Sequence, residues 1–185
     1  SLIAALLRGV HTPQIKVFPL IHIHDQFERF EFLKSGRTNL ERSIIGFQQL
    51  YRIRNGRLER ATAGIFHAVP KDVSAEDWIF LKKSEDLGRA VWPAEIPGPV
   101  ALWSDSAIEN EIGPSSRFWS IHRSIYEIMA SGCPIITASR VEEINNIKNN
   151  VLLWANPSSF TKEEQMLIWK NSSKNSLLVF DAEGR

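Results

Sequence analysis

The alternation of apolar and polar positions near the amino terminus predicts an extended strand. The run QIKVFPLIHIHDQFERFEF, residues 14–32, is rich in β-branched and aromatic residues and alternates in part, which is typical of strands. We expect residues 15–32 to belong to a sheet. One face of this strand would carry Ile21, Ile23 and Phe27, and the other would carry His22, His24 and Glu28.

The spacing of apolar residues then changes to that of a helix over residues 39–54. Thr38 and Glu41 fit a capping box at its start, and Asn55-Gly56 predicts its end. A second helix is expected over residues 58–68, before Pro70, and the sequence SAED predicts an N-cap at Ser74 for a third. The side chains expected to be buried on the first helix are Leu40, Ile44, Phe47 and Leu50.

The sequence of the second half of the chain predicts mainly strands. Residues 88–99, GRAVWPAEIPGP, contain three prolines and two glycines, which predicts a loop or a subdomain boundary. Residues 100–142 are strand-like, and SIYEIMASGCPIITAS predicts a β-hairpin that turns at Ser131-Gly132. Residues 143–185 are polar and mixed, with a short helix expected after Thr161, where TKEE fits a capping box.

These elements together predict an α/β or α+β fold in which a mostly antiparallel sheet packs against a small helical bundle. Residues 1–98 would form the core of strands and helices. Residues 99–185 would form the carboxyl-terminal strands, hairpin and linker region of the same module. At 185 residues, the chain is long enough to bury a substantial core.

Composition narrows the classes of partner and compartment. The net charge of +1 gives no basic field for non-specific nucleic-acid binding, so any RNA contact must be local. The single cysteine, Cys133, excludes an intrachain disulfide and indicates an intracellular, reducing setting. The opening SLIAALLRGV is too short to anchor the chain in a membrane and lacks a signal-peptide cleavage pattern, so no membrane partner is expected. The missing initial Met suggests a piece of a longer protein.

The two histidines of the first strand raise the possibility of a metal site. His22 and His24 would project from one face about 7 Å apart, a spacing that can hold zinc. A metal site needs a third ligand, and Asp25 falls on the opposite face of a regular strand. A half-exposed strand whose histidines are hydrogen-bonded or solvated is the plainer interpretation.

A second pattern lies in YEIMASGCPIITA, residues 126–138. It resembles the helix–glycine–strand segment of nucleotide-sugar glycosyltransferases with two Rossmann-like domains. In those enzymes an acid on the helix holds the sugar nucleotide, and the resemblance assigns that role to Glu127. A further acid is usual eight residues earlier, and Trp119 stands there in this chain.

A third pattern covers about half of the chain in three collinear blocks. They are HDQFERFEFLKSGRTNLERSIIGFQQLYRIRNGR, SAEDWIFLKKSEDL, and SSRFWSIHRS followed by RVEE. These blocks resemble the cap-binding domain of the second basic subunit of the orthomyxovirus RNA polymerase. The matching positions in the first block are His24, Asp25, Phe27, Glu28, Phe30, Gly36, Arg37, Gly56 and Arg57.

This resemblance implies a pocket for 7-methylguanosine. His24 would stack on the base, Glu28 would accept hydrogen bonds from its edge, and Phe30 would back the pocket. The family's second stacking aromatic falls at Val73, so half of the stacking sandwich is absent. Its guanine-contacting lysine falls near Ile44 or Ile45, where an apolar side chain replaces it. This combination resembles the divergent, thogotovirus-like branch of the family.

The expected function is therefore that of a non-catalytic, cap-binding-like module in viral transcription and cap snatching, with weak or no affinity for capped host RNA. The resemblance implies other polymerase subunits as partners, a location in the host nucleus and virion, and neither a catalytic residue nor a cofactor. We expect the isolated domain to be monomeric. Residues 121–138 discriminate between the interpretations, because a hairpin favours the viral module and a helix that leads into a parallel strand favours the glycosyltransferase.

Overall fold

The computed structural model describes residues 2–25, 30–112 and 120–180. Helices and strands alternate along them, which confirms the α/β class. The helices are α1 (Leu2–His11), α2 (Phe32–Ser35), α3 (Arg37–Gln48), α4 (Ala75–Ala90), α5 (Asp105–Ile112), α6 (Ser120–Ala130) and α7 (Lys162–Asn171). The strands are β1 (Leu20–His22), β2 (His24–Asp25), β3 (Phe30–Glu31), β4 (Tyr51–Arg54), β5 (Arg57–Arg60), β6 (Phe66–Ala68), β7 (Val100–Trp103), β8 (Thr137–Arg140), β9 (Val151–Ala155) and β10 (Ser176–Phe180). Short 3₁₀ helices span Val141–Asn146 and Pro157–Ser159.

The main sheet has six strands in the order β10-β9-β7-β8-β4-β5. Every neighbouring pair in it is parallel except β4 with β5, so the expectation of a mostly antiparallel sheet is wrong. All four residues of β7 are buried, as expected for a parallel strand with both faces covered. Strands from both sides of residue 98 belong to this one sheet.

The segment around Asn55-Gly56 connects two strands. Asn55 (φ 50°) and Gly56 (φ 69°) both have positive φ, the conformation that a type I′ hairpin turn requires. The predicted helices therefore differ from the structure: α3 ends at Gln48, and residues 58–68 contain most of β5 and all of β6. The predicted box at Thr38 is also absent, because α3 begins at Arg37 with Gly36 as its N-cap.

The predicted hairpin at Ser131-Gly132 is wrong as well. Residues 120–130 form α6, which ends where Gly132 takes a φ of 93°, a left-handed conformation that favours glycine after a helix. The chain then enters β8, which pairs in parallel with both β4 and β7. A helix followed by a parallel strand is the alternative that favours the glycosyltransferase-like segment.

The amino-terminal run does not join the main sheet. β1 pairs in parallel with β6, and β2 pairs antiparallel with β3. Ile21 and Ile23 are buried and His22 is exposed, as predicted, whereas Phe27 and Glu28 lie outside the described residues. The predicted faces are therefore confirmed at residues 21–23, whereas His24, predicted on the same face as His22, is half-buried.

Two predicted helix caps are confirmed. The Ser74 hydroxyl accepts from the Asp77 backbone N–H at the start of α4, and Thr161 does the same for Glu164 at the start of α7. Leu40, Ile44, Phe47 and Leu50 are buried, as expected. Within the ranges that the structure describes, no helix is long and apolar enough to cross a membrane.

Candidate functional site

The residues predicted to line a cap pocket lie on several elements. His24 is half-buried in β2, and its Nδ1 is buried with no hydrogen-bond partner among the described residues. The backbone of Phe30 lies on the paired strand β3, so the structure brings these two positions onto one small sheet. Glu28, the predicted acceptor for the guanine edge, lies outside the described residues. The cap pocket therefore stays a prediction.

Val73 and Ile45 behave as packing residues. Val73, which precedes α4, is partly buried against the hydrophobic core. Ile45 is half-buried on α3, and its Cα lies 3.1 Å from the position that a Cβ on Gly88 of α4 would take. Ile45 therefore lies at the close contact between α3 and α4. No cluster of three ligating side chains forms among the side chains that the structure describes; that of Asp25 is not one of them, so the metal site stays a prediction.

In a parallel sheet, ligands bind beyond the carboxyl ends of the strands, where successive connections diverge. Here the divergence lies between β7, which connects to β8 on one side, and β9, which connects to β10 on the other. Hydrogen bonds link the elements around this position. Ser104 Oγ donates to Glu164 at 2.6 Å, and the Asn110 side-chain amide donates to the Ser159 carbonyl at 2.6 Å.

A polar cluster lies beside this position, at the carboxyl ends of β7 and β8. The Asp105 carboxylate accepts from Trp103 Nε1 at 2.7 Å, from His11 Nδ1 at 2.9 Å and from Arg140 Nη2 at 2.6 Å. Burial raises the pKa of Asp105, but the hydrogen bonds from Trp103, Arg140 and His11 and the charge of Arg140 outweigh it and lower the pKa to about 2. Asp105 is therefore ionised at neutral pH. Since an ionised carboxylate can only accept, Nδ1 of His11 carries a proton, which leaves Nε2 as the second polar atom of that ring.

A pocket of about 440 Å³ opens next to this cluster, between α1, α5 and α6. Its walls are mainly apolar, and its polar side chains come from α1 and α6. The lining residues are Ala4, Leu7, Arg8, His11, Trp103, Ile108 and His122. A mostly apolar pocket with a few convergent polar groups is the usual form of a small-molecule site. We refer to it below as the α1 pocket.

Glu127 lies on a different face of α6. Its side chain is 50% exposed, and its nearest charged partner is Arg123 Nε at 3.8 Å. Such an exposed (i, i+4) pair is weak, so the carboxylate oxygens are accessible to a ligand. The position eight residues earlier, Trp119, lies outside the described residues.

Sequence reasoning missed the cluster around Asp105. The available signal was the order of residues in VALWSDS: a buried run followed at once by Ser104 and Asp105, as expected where a parallel strand ends at a binding edge. That signal requires β7 to be recognised as a parallel strand. His11 is separated from Asp105 by 94 positions, so local patterns could not have paired them.

Comparisons with known proteins assign no family to this chain. No family model, no curated protein and no solved structure matches the chain.

Proposed function

We propose that this chain is the sugar-nucleotide-binding half of a glycosyltransferase with two Rossmann-like domains. The observation that carries the proposal is the course of residues 120–140, where α6 ends at Gly132 and leads into β8, a strand parallel to both of its neighbours. This arrangement is the one that the glycosyltransferase-like sequence YEIMASGCPIITA implies. The cap-binding interpretation predicts a hairpin over the same residues.

Glu127 has the chemistry that holding a sugar nucleotide requires. A carboxylate can accept hydrogen bonds from two neighbouring hydroxyls of a ribose at once, through its two oxygens. Glu127 is half-exposed, and among the described residues its carboxylate makes only a long ion pair, to Arg123, so it can exchange that contact for a ligand. Glu127 lies in the last turn of α6, away from the carboxyl edge of the sheet where ligands of parallel α/β folds usually bind, so the nucleotide would lie along the outer face of this helix.

The test is a calorimetric titration of the full chain with UDP, GDP and ADP and with their glucose conjugates. We expect one nucleoside diphosphate to bind in preference to the others. Glu127→Gln should weaken that binding by about tenfold, because it replaces charge-assisted hydrogen bonds worth about 1.5 kcal/mol or more with neutral ones. The fold should survive, since the side chain is exposed.

A matched control exists on α4. Asp86 is an exposed helical carboxylate in an (i, i+4) ion pair with Lys82, and Asp86→Asn should leave nucleotide affinity unchanged. The proposal fails if no nucleotide binds, or if Glu127→Gln and Asp86→Asn bind as well as the unaltered chain.

The same titration distinguishes the viral interpretation. Adding 7-methylguanosine triphosphate and GTP as ligands tests the resemblance to the cap-binding domain. A preference for the methylated base that is lost on His24→Ala but kept on Glu127→Gln would support the cap-binding module and contradict the glycosyltransferase.

A further inference from the structure

We infer that the α1 pocket is a binding site for a small amphipathic anion: a compact aromatic or aliphatic body that carries one carboxylate or phosphate group. This site is separate from Glu127, which lies on another face of α6. It does not depend on the proposed function.

The walls of the pocket determine the size and polarity of the ligand body that fits. Ala4 and Leu7 of α1 line the pocket together with Trp103 and Ile108, and its volume of about 440 Å³ lies in the range of small-molecule sites. Trp103 is fixed, because its indole N–H donates to Asp105 at 2.7 Å and its ring packs 5.5 Å from the ring of His11. A rigid aromatic wall of this kind favours a flat or compact apolar group.

The charges at the pocket favour an anion. Arg8 lies at its edge, is exposed, and has no ion-pair or hydrogen-bond partner for its guanidinium among the described residues. The nearby negative charge, Asp105, is already bound by Trp103, His11 and Arg140. Among the described residues, the lining of the pocket therefore offers an available cation and no unpaired acid.

The pocket is also unlike a site for a bare inorganic ion. Four of the seven described side chains that line it are apolar, and these surfaces gain nothing from phosphate alone. Burial of an apolar body supplies the affinity, and Arg8 supplies the preference for a negative head group. A guanidinium can donate paired hydrogen bonds to a carboxylate or to a phosphate with equally good geometry. The two head groups therefore have to be distinguished by experiment.

The test is a titration of the full chain with naphthylacetate, naphthyl phosphate, neutral naphthylethanol and inorganic phosphate, followed by ligand-observed NMR. We expect both naphthyl anions to bind and the neutral alcohol to bind about three- to tenfold more weakly. Arg8→Gln should remove that difference. Arg42→Gln, which alters an exposed arginine of α3, is the matched control and should leave it intact.

Ala4→Trp tests the location without disturbing the core, because Ala4 is exposed and lines the pocket. The new ring should occupy the pocket and weaken naphthylacetate by at least about tenfold, since loss of about 60 Å² of apolar contact is enough for that factor. The inference is overturned if neither anion binds, if naphthylethanol binds equally well, or if Ala4→Trp, shown by circular dichroism to be folded, binds as the unaltered chain does. The relative affinities of the acetate and the phosphate identify the preferred head group.

Discussion

Replacing Asp105 by Asn should destabilise the protein at neutral pH and should cease to do so in acid. Asp105 holds His11 from α1, Trp103 from β7 and Arg140 from β8 through one carboxylate. An amide keeps the shape of the side chain but loses the negative charge and one acceptor atom. The three donors then compete for a single neutral oxygen.

The size of the effect follows from the lowered pKa. In the folded chain the pKa of Asp105 falls from 3.8 to about 2, which corresponds to at most about 2.5 kcal/mol of stability at neutral pH. The side chain is 41% exposed, and solvent screening reduces the contribution to about 1 kcal/mol.

The sign follows from the direction of the shift. Because the folded chain releases the Asp105 proton more readily than the unfolded chain, the stabilisation is present above pH 3.8 and is lost as the pH falls towards about 2. Urea denaturation of both proteins at pH 7, 4 and 3, and at lower pH while the fold persists, should give a stability difference that shrinks below pH 4. A difference as large at pH 3 as at pH 7 would refute the electrostatic account and indicate loss of packing instead.

Two further predictions concern the packing that supports the sites. Leu50→Ala should cost about 2 to 5 kcal/mol in urea denaturation, because Leu50 is 1% exposed in the core and its removal leaves a cavity; a change below about 1 kcal/mol would contradict its burial. Gly88→Ala should destabilise by about 1 to 3 kcal/mol, since the new Cβ would lie 2.7 Å from Gln48 Cβ at the contact of α3 with α4. Gly46→Ala, whose Cβ would meet only Leu2 at 3.4 Å, should be neutral or stabilising by up to about 1 kcal/mol, and equal losses at both glycines would show that the close contact is not the cause.

The features that sequence predicted correctly depend on short-range chemistry. The caps at Ser74 and Thr161 each involve a hydroxyl and a carboxylate three residues apart, so the pattern is complete within one turn. The buried face of Leu40, Ile44 and Phe47 likewise repeats within a single helix. Local patterns of this kind predict the same structure however the rest of the chain packs.

Sheet direction could not be obtained in the same way. Asn55-Gly56 fits both the end of a helix and a hairpin turn, and the choice between them depends on whether Tyr51 and Ile53 find a neighbouring strand. They find β8, which lies more than eighty residues along the chain. The cluster at Asp105 has the same origin, because His11, Asp105 and Arg140 meet only after β7 and β8 pair.

The pattern at residues 121–128 contained enough information to exclude the hairpin. In a strand with Ile125 facing the core, Glu127 would face the core as well, because residues two apart share a face. An unpaired buried carboxylate is costly, so that arrangement is unfavourable. In a helix the two residues lie about 200° apart, and the structure accordingly buries Ile121 and Ile125 while Glu127 remains half-exposed. The helical spacing of apolar and charged residues in this segment therefore also places the Glu127 carboxylate on an accessible surface. The Glu127→Gln titration tests this carboxylate.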